Sequence, residues 1–265
     1  MFIGHSSCRM PTVKIVVAGS NMIEIPVSLE QAVSQAKEAT KIALEAGVKR
    51  ICIEIIIPEI ALQSQDLTLE FISIFENKES GLKVFFPDTG SAALARRDWG
   101  KTIFEISDLG NRGITIENKL LETDQILLLV APSFTEIGAI EKLCSLANNR
   151  PIIFLIPQFE DMSIVGIGYV AREIQKRFLN TLESVYYFHP LDEFLIVHSY
   201  CSPWYTYSRK EESYQLINKK NHKPSQEDLE SLIVNEVTAS NHNVSQLSRT
   251  GFLTEIQRFM NFLSK

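Results

Sequence analysis

The sequence predicts a doubly wound α/β domain: a mostly parallel sheet, an antiparallel meander at one edge, and helices at the carboxyl end. Three observations carry that prediction. Mainly apolar runs such as RICIEIII (50–57) and DQILLLVAPS (124–133) read as strands buried on both faces, as in parallel sheets. Helical periods separate these runs, in the alternation of βαβ units. After Ser184 the helices stop, and VYYFHP, FLIVHSY and WYTYSR follow one another with short links, which reads as an antiparallel meander.

Each element has its own local reason. Leu29, Ala32, Val33, Ala36, Ala43 and Ala46 share one helical face, with Ser28 as N-cap, Gln31 as capping-box partner and Gly47 as the stop. Asp66 caps a second helix through about Lys78, with Leu69, Ile72 and Phe75 inward. LKVFFP is the next strand and SAALARRDW the next helix. TIFEIS and GITI are expected as short strands around a DLGNRG turn. FTEIGAIEKLCSLANN is a helix, RPIIFLIPQF a strand, and GYVAREIQKRFLNTLES a long amphipathic helix. NKKNHKPSQED reads as a polar linker, and SQEDLESLIVNEV and GFLTEIQRFMNFLSK as terminal helices. The expected organisation is residues 1–12 as a disordered or transit-peptide remnant, 13–217 as the α/β domain, and 218–265 as linker and helical tail.

Composition narrows the function classes. The chain has 265 residues and a net charge of −6, with no basic stripe, so nucleic acid is not an expected partner. Its longest apolar run, ICIEIIIPEI, is interrupted by Glu54 and Pro58 and is too short to span a membrane. Four cysteines lie far apart without a Cys-x-x-Cys pair, so no metal site is expected; Cys52 and Cys144 read as buried hydrophobes of a reducing compartment. The opening MFIGHSSCRM, free of acids, suits either the tail of an organelle transit peptide or a frayed terminus.

Several residues are candidates for chemistry. The Gly90-Ser91 corner after Asp88 places exposed amides and a hydroxyl at a helix start, which suits an anion, with Arg96 or Arg97 assisting. The structural alternative pairs one arginine with Asp98, Glu54 or Asp88. Glu54 interrupts an apolar strand, where a bare carboxylate is costly; it either joins an internal ion pair or points into a cleft at the sheet's carboxyl edge. Gly166, Gly168 and Ala171 form a formal Gly-x-Gly-x-x-Ala, but it starts too far from its strand for a dinucleotide turn. His189 and His198 fall on adjacent strands without a third metal ligand. Trp204 and Tyr205, in the strip SYCSPWYTYS, and Phe252 and Phe259, on the stripe of the last helix, are the candidate partner-binding residues.

The segments SLEQAVSQAKEATKIALEAGVKRICIEIIIPEI, VFFPDTGSAALARRDW, LLVAPSFTEIGAIEKL and RPIIFLIPQF with REIQKRFL, in that order, resemble a family. It is a domain family of unknown function from cyanobacteria and plastids that includes Low PSII Accumulation 3-like proteins. The similarity runs from about Val27 to Tyr207, with Glu54, Pro58-Glu59, Pro87-Asp88-Gly90 and Asp98-Trp99 its most specific parts. The resemblance implies a photosynthetic setting in the chloroplast stroma or cyanobacterial cytoplasm, peripheral contact with the thylakoid, and a role in photosystem II assembly. It carries over no catalytic residue, no cofactor and no metal. The expected function is therefore a non-catalytic factor binding a photosystem II subunit or assembly partner. The alternative is a small enzyme or sensor that binds a phosphorylated metabolite or nucleotide at the Gly90-Ser91 helix start.

Overall fold

The computed structural model describes residues 23–75, 79–110, 115–159, 169–210, 213–225, 227–229 and 231–232. One nine-stranded sheet organises them. Its strands are β1 (Arg50–Ile55), β2 (Leu82–Asp88), β3 (Glu105–Gly110), β4 (Ile126–Val130), β5 (Ile152–Leu155), β6 (Glu183–Pro190), β7 (Phe194–Ser199), β8 (Trp204–Lys210) and β9 (Ser213–Lys220). Their spatial order is β3-β2-β4-β5-β1-β6-β7-β8-β9. The first six are parallel, and β7, β8 and β9 continue antiparallel from β6. The expected α/β class and antiparallel edge are both present.

The strand order dictates the layers. From β1 the chain steps outward to β2 and β3, then returns through β4 and β5 to β6 on the far side of β1. Right-handed crossovers running in opposite directions put their helices on opposite faces. Accordingly α2 (Ser64–Ile72) and α3 (Thr89–Trp99) pack on one face, over Ile51, Ile53, Val84 and Leu128, and α1 (Leu29–Glu45), which precedes β1, joins them there. Helices α4 (Ile137–Leu146) and α5 (Tyr169–Arg177) pack on the other, over Cys52, Phe85, Leu127 and Phe154. Among the described residues, no helix is long and apolar enough to cross a membrane.

Local expectations hold in part. Ser28 caps α1 by accepting from Gln31 N, and Ala32, Val33, Ala36 and Ala43 are buried. Gln31 reaches back one residue further than a capping box does, and its Oε1 accepts from Val27 N. Helix α2 begins at Ser64, so Asp66 lies in its first turn and is not its cap. Leu67, Thr68, Phe71 and Ile72 are its buried residues, while Leu69 is exposed. The DLG of the expected turn belongs to β3; of the expected GITI strand, Gly113 and Ile114 lie outside the described residues and Ile116 opens a 3-10 turn, Ile116–Lys119. SYQLINKK, not anticipated as a strand, forms β9 and carries the sheet past residue 217 to Lys220. Its exposed, mixed composition lacks the apolar signal that marks the other strands.

Charges inside this sheet are compensated. The Lys83 ammonium on β2, only 1% exposed, meets Glu105 at 3.0 Å and the buried Asp124 at 3.6 Å. Lys119 donates to Asp108 Oδ1 at 2.9 Å and to the Asp108 carbonyl at 2.8 Å, which ties the 3-10 turn to edge strand β3. Breaking a buried pair strands its partner's charge in a low dielectric. Asp108→Ala is therefore expected to destabilise the fold by about 3–5 kcal/mol in urea unfolding, because it leaves the Lys119 ammonium buried without its carboxylate.

Candidate functional site

Open α/β sheets bind ligands at the carboxyl ends of strands whose following helices leave on opposite faces. This order has two such points, between β2 and β4 and between β1 and β5. The first contains the predicted anion corner. Asp88 there accepts from Ser91 N at 2.9 Å and from Ser91 Oγ at 2.7 Å, capping α3 with its own carboxylate. These bonds hold the Asp88 carboxyl below the usual aspartate range. Gly90 suits this fit, since a Cβ there would lie 3.0 Å from Asp88 Oδ1 and the carboxylate would have to shift.

The neighbouring corner repeats the solution. Ser133 and Glu136 form a capping box ahead of α4, in which Glu136 Oε2 accepts from Ser133 N at 2.9 Å. Two carboxylates thus stand at the two helix starts, where like charge opposes an incoming anion. The arginines do not offset this. Arg96 donates to the Ile106 carbonyl at 2.7 Å, and Arg97 pairs with Asp98 at 2.7 Å. The Arg97–Asp98 pair is the structural alternative expected from the sequence. Glu54 lies on the α4–α5 face and α3 on the opposite one, three strand spacings (about 14 Å) away, so Glu54 and Arg97 share no cleft.

Glu54 instead anchors a row that crosses the sheet. Register aligns Glu54 with Tyr187 on β6, and Tyr187 with His198 on β7. The His198 ring lies flat on Trp204 of β8, with centroids 4.4 Å apart and planes 2° from parallel. Trp204 in turn aligns with Lys220 on β9. Glu54 Oε2 accepts from Ser184 Oγ at 2.8 Å. Its other oxygen receives Lys223 Nζ at 2.9 Å. Lys223 comes from the segment after β9, and its ammonium lies 4.2 Å from the centre of the Tyr187 ring and 5.8 Å from that of Trp204.

The surrounding groups are held neutral. Burial, aided by the Lys223 charge, pushes the His189 imidazole down to about 4. Its Nδ1 shares a hydrogen bond with the Tyr187 hydroxyl at 3.1 Å. Burial also lowers His198, whose Nε2 donates to the Ser184 carbonyl at 3.0 Å while its Nδ1 makes no hydrogen bond among the described residues. Register sets His189 against Ile196, so the two histidines sit in different rows of one face. No group of three or more His, Cys, Asp or Glu among the described residues is arranged to hold a metal ion. Cys52 and Cys144 are free and buried, and burial raises both thiols, Cys144 to about 12.

The partner-binding expectations change accordingly. Trp204 and Tyr205 are buried on opposite faces of β8, so neither is a surface anchor; ring stacking on one face and core packing on the other consume them. Phe252 and Phe259 lie outside the described residues, as do Gly166 and Gly168. Lys223, Tyr187 and Ser184 are the site residues that sequence reading missed. Lys223 sits in what looked like a polar linker, and no local pattern distinguishes it from its neighbours.

Residues 26–231 match the family described as Domain of unknown function (DUF1995), and the chain belongs to that family. No curated protein and no solved structure matches it.

The low His189 value has a measurable consequence. An unfolded histidine takes up its proton near pH 6.5, whereas the folded one resists until about 4. Between those limits the unfolded state binds more protons, so stability is present above pH 6.5 and falls as pH drops toward 4. The expected loss is about 3 kcal/mol across that window, read from urea unfolding at successive pH values. His189→Asn removes this step in the profile.

Proposed function

We propose that this chain is a non-catalytic factor of photosynthetic organisms that holds a membrane-protein subunit or assembly partner, with a photosystem II subunit as the preferred one. It acts in the chloroplast stroma at the thylakoid surface, or in the cytoplasm of a cyanobacterium. The observation that carries this reading is the compensation of the sheet's buried charges. Lys83, Asp108, Lys119 and Asp124 each have an opposite charge within 4 Å, and Glu54 has Lys223. General acid–base or nucleophilic chemistry draws on a group poised to gain or lose a proton near neutral pH. Here the buried thiols are pushed up and the buried imidazoles down, away from that range. Both helix starts at the β2–β4 crevice are closed by their own carboxylates, which weighs against a phosphorylated ligand at Gly90-Ser91. Family resemblance supplies the photosynthetic setting.

With Trp204 and Tyr205 buried, the apolar stripe that includes Phe252 and Phe259 becomes the partner-facing element of this proposal. The test is a pull-down from detergent-solubilised thylakoids with the full chain and with a chain ending at Leu232, which keeps β9 and Lys223. The full chain is expected to recover a photosystem II subunit and the shortened chain to lose most of it. Recovery of no photosystem subunit by either chain overturns the proposal.

A further inference from the structure

We propose that Glu54, Tyr187 and Trp204 form a binding site for an alkylammonium cation, and that Lys223 is its intramolecular occupant, displaced when an outside cation binds. Two aromatic faces and one carboxylate around a single ammonium are the composition by which proteins recognise alkylated amines. The structure holds the chemistry of the ligand in place: Lys223 Nζ lies 2.9 Å from Glu54 Oε1, 4.2 Å from the centre of the Tyr187 ring and 5.8 Å from that of Trp204.

The site walls are built and the occupant is not. Tyr187 and Trp204 are 4% and 6% exposed, and their rings lie 5.1 Å apart at a tilt of 54°. Ser184 fixes one Glu54 oxygen, and the flat stack of His198 fixes the plane of the Trp204 ring. The Lys223 side chain, by contrast, is 48% exposed and arrives on a segment outside the sheet. Other contacts secure that segment. Lys220 pairs with Asp228, Ser225 and Asp228 cap the helical turn that follows, and Leu229 is buried in the same apolar cluster as Tyr187 and Trp204. The ammonium can therefore leave while its segment stays. The His198 ring also carries a buried nitrogen, Nδ1, without a hydrogen bond among the described residues.

This inference is independent of the photosystem reading, since it concerns a pocket on the sheet and not the tail. Isothermal titration with tetramethylammonium chloride and with n-butylammonium chloride tests it, with sodium chloride as the ionic-strength control. Removing the tethered competitor in Lys223→Ala is expected to tighten both ligands by about tenfold over the wild type. Adding Glu54→Gln to that variant is expected to take back about tenfold. Lys223→Gln keeps much of the stem and removes the charge, so it serves if the alanine variant melts early. An acetylated, amidated Gly-Lys-Gly peptide distinguishes sources: tighter binding than n-butylammonium assigns the site to a protein lysine, and equal binding to a small amine. The proposal is overturned if neither Lys223 variant binds these cations more tightly than the wild type, or if Glu54→Gln leaves binding unchanged.

Discussion

A carboxylate on a central strand with both faces covered must be compensated, and the way Glu54 is compensated governs much of this structure. Its side chain is only 17% exposed, and it sits among Cys52, Ser184 and Tyr187. Water cannot fully solvate it there, so a cation and a hydroxyl donor take that place. The hydroxyl comes from β6, directly alongside. The cation comes from Lys223, 169 residues further along the chain. That requirement ties the far end of the described chain to the middle of the sheet, and the ammonium covers the rings of Tyr187 and Trp204 on the way.

The same economy applies elsewhere. Lys83 and Lys119 place ammonium groups in nearly dry surroundings, and each is satisfied by acids from neighbouring elements. The helix starts at the β2–β4 crevice are likewise closed from within, by Asp88 and Glu136. A fold that leaves anion-binding geometry at a switch point has here filled it with its own carboxylates. The crevice that α/β folds commonly turn into a catalytic centre is occupied, and the polar character of the molecule shifts to the other side of β1, where β6 to β8 extend the sheet.

That extension explains why the antiparallel strands matter. β6 is both the last parallel strand and the first of the meander, so it carries residues of Glu54's row into territory that α4 and α5 do not cover. Tyr187, His198 and Trp204 there form a layer of rings, closed from above by Lys223 and Leu229. Burial within this layer keeps both histidines neutral, which lets His198 donate to a backbone carbonyl and lets His189 share a bond with Tyr187. Trp204 looked like a surface anchor because aromatic strips have that use when exposed; the covering segment is what turns it inward.

Local sequence determined the alternation of apolar strands with helices, the capped start of α1 and the switch to a meander after Ser184. Such signals reside in ten or twenty contiguous residues, where side-chain periodicity and cap chemistry act without help from the rest of the chain. It also identified Glu54 as out of place, because one charge in an apolar strand is visible without coordinates. Tertiary structure alone decided that β1 would lie between β5 and β6, that Arg97 would face away from Glu54, and that Lys223 would answer it. The edge strand β9 also escaped local reading, since its pairing with β8 comes from backbone hydrogen bonds that any composition can make. Compensation of a buried charge depends on distance in space, and that distance is set by strand order, which no short stretch of sequence contains.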